Sequence, residues 1–127
     1  MLMTPRNPTS GIYAATDYLH AMEVTGSRRL LFVSGTMGLD DKGKAPDGLE
    51  PQLALLWSNI HRILAEAAMT TDNIVRVSSY LRDASFAETN ARARLDALGG
   101  RRVPTTAIVV GTLLPEWLVE IEAIAAA

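Results

Sequence analysis

The residues best placed to do chemistry lie near the end of the chain, in Leu118-Val119-Glu120-Ile121-Glu122-Ala123-Ile124-Ala125. If this run is a strand, Glu120 and Glu122 point to one face with Leu118 and Ile124, while Val119, Ile121 and Ala123 point to the other. Two carboxylates ~7 Å apart on an otherwise apolar strand repel one another and are partly desolvated. One of them is therefore a candidate for a raised pKa and for acid–base work. The competing reading is structural, with both acids lining a solvated sheet face, and spacing alone favours it. Other chemistry is scarce. His20 and His61 are the only histidines and lie far apart, so a metal site has little support. Cysteine is absent, which excludes a thiolate nucleophile, an Fe–S cluster, a Cys-ligated zinc and a disulfide framework. None of the phosphate-cradling or zincin motifs (G-x-x-x-x-G-K-[ST], G-x-G-x-x-G, H-E-x-x-H) occurs. Twelve Lys+Arg against 14 Asp+Glu leave a net charge of −2, far from the basic field that nonspecific nucleic-acid binding requires.

The elements that must position these side chains follow from composition and periodicity. A chain of 127 residues with 48% apolar and 20% charged residues is read as one globular domain over 1–127. Residues 1–12, with two prolines, Asn7 and Ser10, read as a loose arm. Tyr13 to Val24 is expected to hold an irregular edge strand. Arg29 to Ser34 reads as a buried strand ended by Gly35, and Met37 to Asp41 as a second short strand. Turn chemistry follows in Asp40-Asp41-Lys42-Gly43. From Glu50 to Met69 the period becomes helical, with Leu53, Leu56, Trp57, Ile60, Ile63, Leu64 and Ala67 on one face and Pro51 in the first turn. Ile74 to Leu81 alternates, with Val75, Val77 and Leu81 on one side and Arg76, Ser78 and Tyr80 on the other.

A second helix is expected from a capping box at Ser85-Phe86-Ala87-Glu88, with a core stripe of Ala87, Ala91, Leu95 and Leu98 and a stop at Gly99-Gly100. Two last strands, Thr105 to Thr112 and Trp117 to Ala125, are joined by a short turn at Pro115. The order β-β-β-α-β-α-β-β is α+β: two helices packed on one face of a mixed sheet. Two helices cover one face only, yet Ala107 to Gly111 is apolar on both sides. The uncovered face predicts self-association. No apolar run reaches the roughly 18 residues of a membrane span. Met1 to Gly11 has no signal-peptide character, so the cytoplasm is the expected compartment and no membrane partner is expected.

Several blocks then appear in one order: Phe32-Val33-Ser34-Gly35-Thr36-Met37-Gly38-Leu39-Asp40, Asp72-Asn73-Ile74-Val75-Arg76-Val77, Phe86-Ala87-Glu88-Thr89-Asn90-Ala91, Pro104, and Leu118 to Ala125. From about Tyr18 to the C-terminus the chain resembles the Rid family, the reactive intermediate deaminases also called YjgF or L-PSP proteins. The resemblance implies a chorismate-mutase-like α+β fold, a homotrimer, and small clefts between neighbouring subunits. It implies hydrolysis of 2-aminoacrylate and related enamines or imines to 2-keto acids and ammonia, with no metal or organic cofactor. Glu120 takes the place of the family's water-activating Glu. Asn90, Ser34 and Gly35 match its pocket residues. Tyr18 matches its Tyr, with Tyr13 an alternative because the segment before Ser34 is longer than usual.

The departure lies after Pro104, where Thr106 stands at the position of the family's carboxylate-clamping Arg; Thr106 and, two residues on, Ile108 are the substrate-binding candidates of this segment. Thr offers one hydroxyl in place of a bidentate fork. Hydrogen bonds to charged groups contribute about 1.5–3 kcal/mol each, so the loss weakens 2-imino-acid binding at least tenfold per bond. The leading expectation is hydrolysis of an imine, enamine or similar small electrophile that lacks the 2-carboxylate. The alternative is a non-catalytic trimer that binds a small metabolite. RNA cleavage, attached to the family through its L-PSP name, ranks last.

Overall fold

The apolar stripe between residues 53 and 67 forms the helix that organises the molecule. In the computed structural model, which describes all of residues 1–127, α1 spans Leu49–Glu66 and buries Leu53, Leu56, Trp57, Ile60 and Leu64. It ends in a Schellman motif: the Ala68 N–H bonds the Ala65 carbonyl and the Met69 N–H bonds that of Leu64, both at 2.9 Å. Ala68 carries the left-handed turn of that motif at φ 54°. The second helix, α2 (Ala87–Ala97), ends in the same motif with Gly99 in that position at φ 64°.

Both helices lie on one side of a four-stranded sheet made of β3 (Leu30–Met37), β4 (Ile74–Leu81), β5 (Thr105–Val109) and β6 (Val119–Ala126). The spatial order is β3-β6-β4-β5. Strand β6 runs antiparallel to both neighbours and β4–β5 is parallel, so the sheet is mixed. Two further strands, β1 (Leu2–Pro5) and β2 (Met22–Thr25), pair in a separate antiparallel ribbon. No helix is long and apolar enough to cross a membrane.

Several sequence expectations are corrected. The first residues are not a loose arm: Leu2 to Pro5 pair with Met22 to Thr25, and Arg6 bridges Glu23 at 2.8 Å. Backbone pairing needs no apolar pattern, and Pro5 at the strand's end gives up no ladder bond. Met37–Asp41 is not a second strand. Instead β3 runs on to Met37, and the chain then turns where the Asp40 carboxylate accepts from the Lys42 and Lys44 N–H groups. Strand β3 is buried on one side only, Val33 being 5% exposed and Phe32 70%. The last two strands are bounded as Thr105–Val109 and Val119–Ala126, so residues 110–118 rather than a short turn link them, and β4 lies between them.

In β4 a bulge at Val75, between the pairs Ile74–Ala125 and Arg76–Ile124, puts Ile74 rather than Val75 in line with Val77 and Leu81 on the covered face. The cap before α2 is Asp83, not Ser85. Its carboxylate accepts from the Ser85 N–H at 2.8 Å and caps a 3₁₀ turn, Ala84–Phe86. Bonds from Ser85 hold the Asp83 carboxyl below its usual range. The inward face of α2 is Asn90, Arg94 and Leu98, not the stripe through Ala87, Ala91 and Leu95. Arg94 can be buried because it donates to the Asp17 carbonyl at 2.7 Å and pairs with its carboxylate at 3.2 Å.

Candidate active site

The alternation in β6 separates two environments. Val119, Ile121 and Ala123 are buried under the helices, whereas Glu120, Glu122 and Ile124 are half-buried on the uncovered face. Register assembles the rest of that face. Across β4, Tyr80 stands opposite Glu120, Ser78 opposite Glu122 and Arg76 opposite Ile124. On β5, Thr106 stands opposite Ser78 and Ile108 opposite Tyr80. On the other side, the pairs Val33–Ala123 and Thr36–Ile121 leave Ser34 and Gly35 together against Glu122, a bulge in β3.

The two carboxylates are not equivalent. Glu122 accepts a hydrogen bond from the Tyr80 hydroxyl. That bond, then burial, then the negative charges of Glu122 and Glu120 raise the Tyr80 pKa, with Arg76 opposing. Glu120 accepts no hydrogen bond within the chain. Its carboxylate lies over Gly35, where a Cβ would come within 2.0 Å of Oε2. Position 35 thus needs glycine for space. Glu120, Glu122, Tyr80 and Gly35 line a pocket of about 290 Å³ with Val110, Gly111, Thr112 and Leu113.

The loop forming the pocket's wall is tied down. Arg82 donates to Thr112 Oγ1 at 2.8 Å, and that hydroxyl donates to the Trp117 carbonyl at 2.6 Å. Buried Gln52 donates to the Glu116 carbonyl at 2.8 Å and accepts from the Leu118 N–H at 3.0 Å. A carboxylate with no internal partner, in a pocket with fixed walls, is equipped to orient a water and accept its proton.

The other sequence-selected residues lie elsewhere. Thr106 and Ile108 are two strands from Glu120, about 10 Å of sheet at the usual strand spacing. The Thr106 hydroxyl accepts from Arg76 Nη2 at 3.0 Å. Tyr18 stands beside the start of β5, where neighbouring Leu19 bridges Pro104 and its N–H bonds the Val103 carbonyl at 3.1 Å. The Tyr18 ring meets His20 edge-on at 5.9 Å. Tyr13 does so at 5.0 Å, and His20 Nε2 donates to the Tyr13 carbonyl at 2.8 Å. Neither tyrosine lines the Glu120 pocket. Asn90, 1% exposed, is on the helix side of the sheet, and its Oδ1 has no partner.

Asn90 apart, the candidates therefore fall into two groups. Ser34, Gly35 and Glu120 gather at β3 and β6; Tyr18, Thr106 and Ile108 gather at β5. Sequence reading missed Tyr80, Arg76 and Gln52. The first two were visible as the polar side of an alternating strand, but only the β4–β6 register shows what they face.

Two helices on one side of this mixed sheet, with carboxylates on the bare side, define the α+β fold of the Rid and YjgF proteins. The profile of the family described as endoribonuclease L-PSP matches residues 9–127. The chain belongs to that family. It is 34% identical over 83 residues to a RutC family protein of Aquifex aeolicus, covering 65% of this chain and 61% of that one. It is 36% identical over 72 residues to the RutC family protein YjgH of Escherichia coli, covering 57% and 53%. The chain thus spans 61% and 53% of the lengths of these relatives. Among solved structures, the Rid family protein YyfB of Yersinia pestis, described as of unknown function, superposes with a TM-score of 0.85. There the identity is 27% and the coverage 100% of both chains.

Proposed function

We propose that this protein hydrolyses a small reactive imine or enamine without a cofactor, with Glu120 as the base. The observation that carries this reading is the contrast between the two carboxylates: Glu122 is engaged by Tyr80, while Glu120 lies unpartnered over Gly35. Glu120 orients a water against the C=N carbon and takes a proton from it as the new C–O bond forms. The π electrons of the C=N bond move to nitrogen, which is protonated. The carbinolamine then collapses, expelling ammonia and leaving the carbonyl. An enamine first takes a proton at carbon and gives one up from nitrogen, becoming the imine. The net change is addition of one water and release of one ammonia.

We further propose that the working site lies between copies of the chain, in a homotrimer. Glu120 leans toward β3, while Thr106 and Tyr18 sit at β5, too far for one small molecule to bridge in a single protomer. Leu30, Phe32, Ile108 and Leu113 are exposed on or beside the uncovered face. A neighbour that covers them brings a β5 group against a Glu120 group and removes a large apolar patch from water.

The specificity then differs from that of members with Arg at position 106, because Thr106 itself supplies one hydroxyl. Ammonia release from freshly generated 2-iminopropanoate and from a matched imine lacking the carboxylate tests the activity. Glu120→Gln should abolish whichever turnover is found and leave ligand binding intact. Unchanged turnover overturns the assignment of the base. Saturable binding without turnover of either imine would make the protein a metabolite-binding module, the reading that Thr106 in place of an Arg favours. A monomeric mass by sedimentation overturns the shared site.

A further inference from the structure

The β3–β6 ladder ends at Met37 opposite Glu120. Past that pair neither strand has the other to bond, and helix α1 takes both segments from the covered side. Asn59 donates from Nδ2 to the Met37 carbonyl at 3.1 Å and to the Leu39 carbonyl at 2.9 Å. Gln52, about two turns earlier on the helix, donates from Nε2 to the Glu116 carbonyl at 2.8 Å and to that of Pro46 at 3.0 Å. Its Oε1 accepts from the Leu118 N–H at 3.0 Å. Gly38, the residue after Met37, packs directly on the Gln52 backbone, and a Cβ there would run into the Gln52 carbonyl.

The last pair of that ladder is also the one that carries the chemistry. Glu120 accepts no hydrogen bond within the chain, so its backbone and its contact with Gly35 alone set where the carboxylate lies. A backbone at the end of a ladder opens easily unless other bonds replace the missing rungs. The two amides supply them: Asn59 holds the end of β3, and Gln52 holds the approach to β6. Each carries two donors and an acceptor in one plane, and Gln52 engages three backbone groups. Resting on the reading of Glu120 as the base, we propose that Gln52 and Asn59 are positioning residues of the site. From the far side of the sheet they pin the Met37–Glu120 pair and thereby hold the Glu120 carboxylate over Gly35.

Carbon-13 labelling of the glutamate carboxyls tests this without requiring turnover. The Glu120 signal is assigned by its loss in Glu120→Gln. In Gln52→Met and in Asn59→Ala that signal should move at neutral pH, while those of Glu23 on β2 and Glu88 on α2 stay in place. Asn59 is only half-buried, so Asn59→Ala keeps the test open if Gln52→Met fails to fold. Where an imine is turned over, each substitution should lower kcat about tenfold or more and leave KM within about twofold, because the base is displaced and the ligand's own contacts are not.

An unmoved Glu120 signal in the folded variants overturns the proposal. So does equal movement of every glutamate signal, which would make the amides supports of the whole fold, and so does a loss confined to KM. Undiminished turnover in Glu120→Gln, with a displaced Glu120 signal in the amide variants, would sink the base and leave the positioning standing.

Discussion

The two faces of the four-stranded sheet are built from the same strands and have opposite characters. Beneath the helices, Val77, Val119, Ile121 and Ala125 are sealed from water. One residue along the same strands, Glu120, Glu122, Tyr80 and Arg76 look outward beside Phe32 and Ile108, which are 70% and 48% exposed. A period of two lets each strand serve both purposes, packing on one side and chemistry on the other. Stability and activity should therefore come apart at adjacent positions.

The sharpest way to break that comparison is a pair of substitutions one residue apart. Ile121→Ala removes a fully buried side chain and should cost about 2–5 kcal/mol in urea denaturation. Glu120→Gln, its neighbour, should stay within about 0.5 kcal/mol of wild type while losing turnover. Equal destabilisation by both would show that the outer face also holds the fold. Next in size is Gly35→Ala. A Cβ 2.0 Å from the Glu120 carboxylate must push it aside, so activity should fall at least tenfold with the circular dichroism spectrum unchanged. Wild-type kinetics would mean that Glu120 does not need its place over β3.

Tyr80→Phe sharpens the distinction between the carboxylates. The folded chain holds the Tyr80 proton more tightly than the unfolded chain does. Its contribution is complete below the ordinary value of 10.0 and is lost as pH rises through the raised folded value. The stability difference between wild type and Tyr80→Phe should therefore narrow above that pH. A difference that is flat with pH would refute the bond to Glu122.

The smallest effect lies on the covered side. Both helices end in a Schellman motif, one with Gly99 and the other with Ala68 in the left-handed position. Ala68→Gly should relieve strain and stabilise the protein by about 0.5–1 kcal/mol, read as a rise in Tm.

What was legible in the sequence follows the same division. Helix α1 declared itself because seven apolar residues keep one phase, and β6 because its alternation is uninterrupted. The helix-side phase of α2 was not legible. Asn90 and Arg94 are polar types, and only Asp17, far upstream, explains why Arg94 is inside. The β1–β2 ribbon escaped because its pairing rests on backbone bonds rather than on an apolar pattern. At the site, spacing marked the pair Glu120 and Glu122, and the family resemblance chose Glu120 and supplied Tyr18, Ser34, Gly35, Asn90 and Thr106. Arg76 and Tyr80 showed only as the polar side of an alternating strand. Their meaning depends on the registers of β4 with β6 and β5, which pair residues far apart in sequence.

The place of β6 between β3 and β4 also sets the order of events in synthesis. It is the last strand of the sheet to leave the ribosome, yet it joins the two halves: Leu30 pairs with Ala126, across most of the chain. Until residues 119–126 emerge, β3 has no partner in the sheet and β4 can pair only with β5. A sheet closed by so distant a pairing forms slowly. Nascent chains stalled before residue 119 should therefore bind holding chaperones and be cut by proteases that leave the finished protein intact.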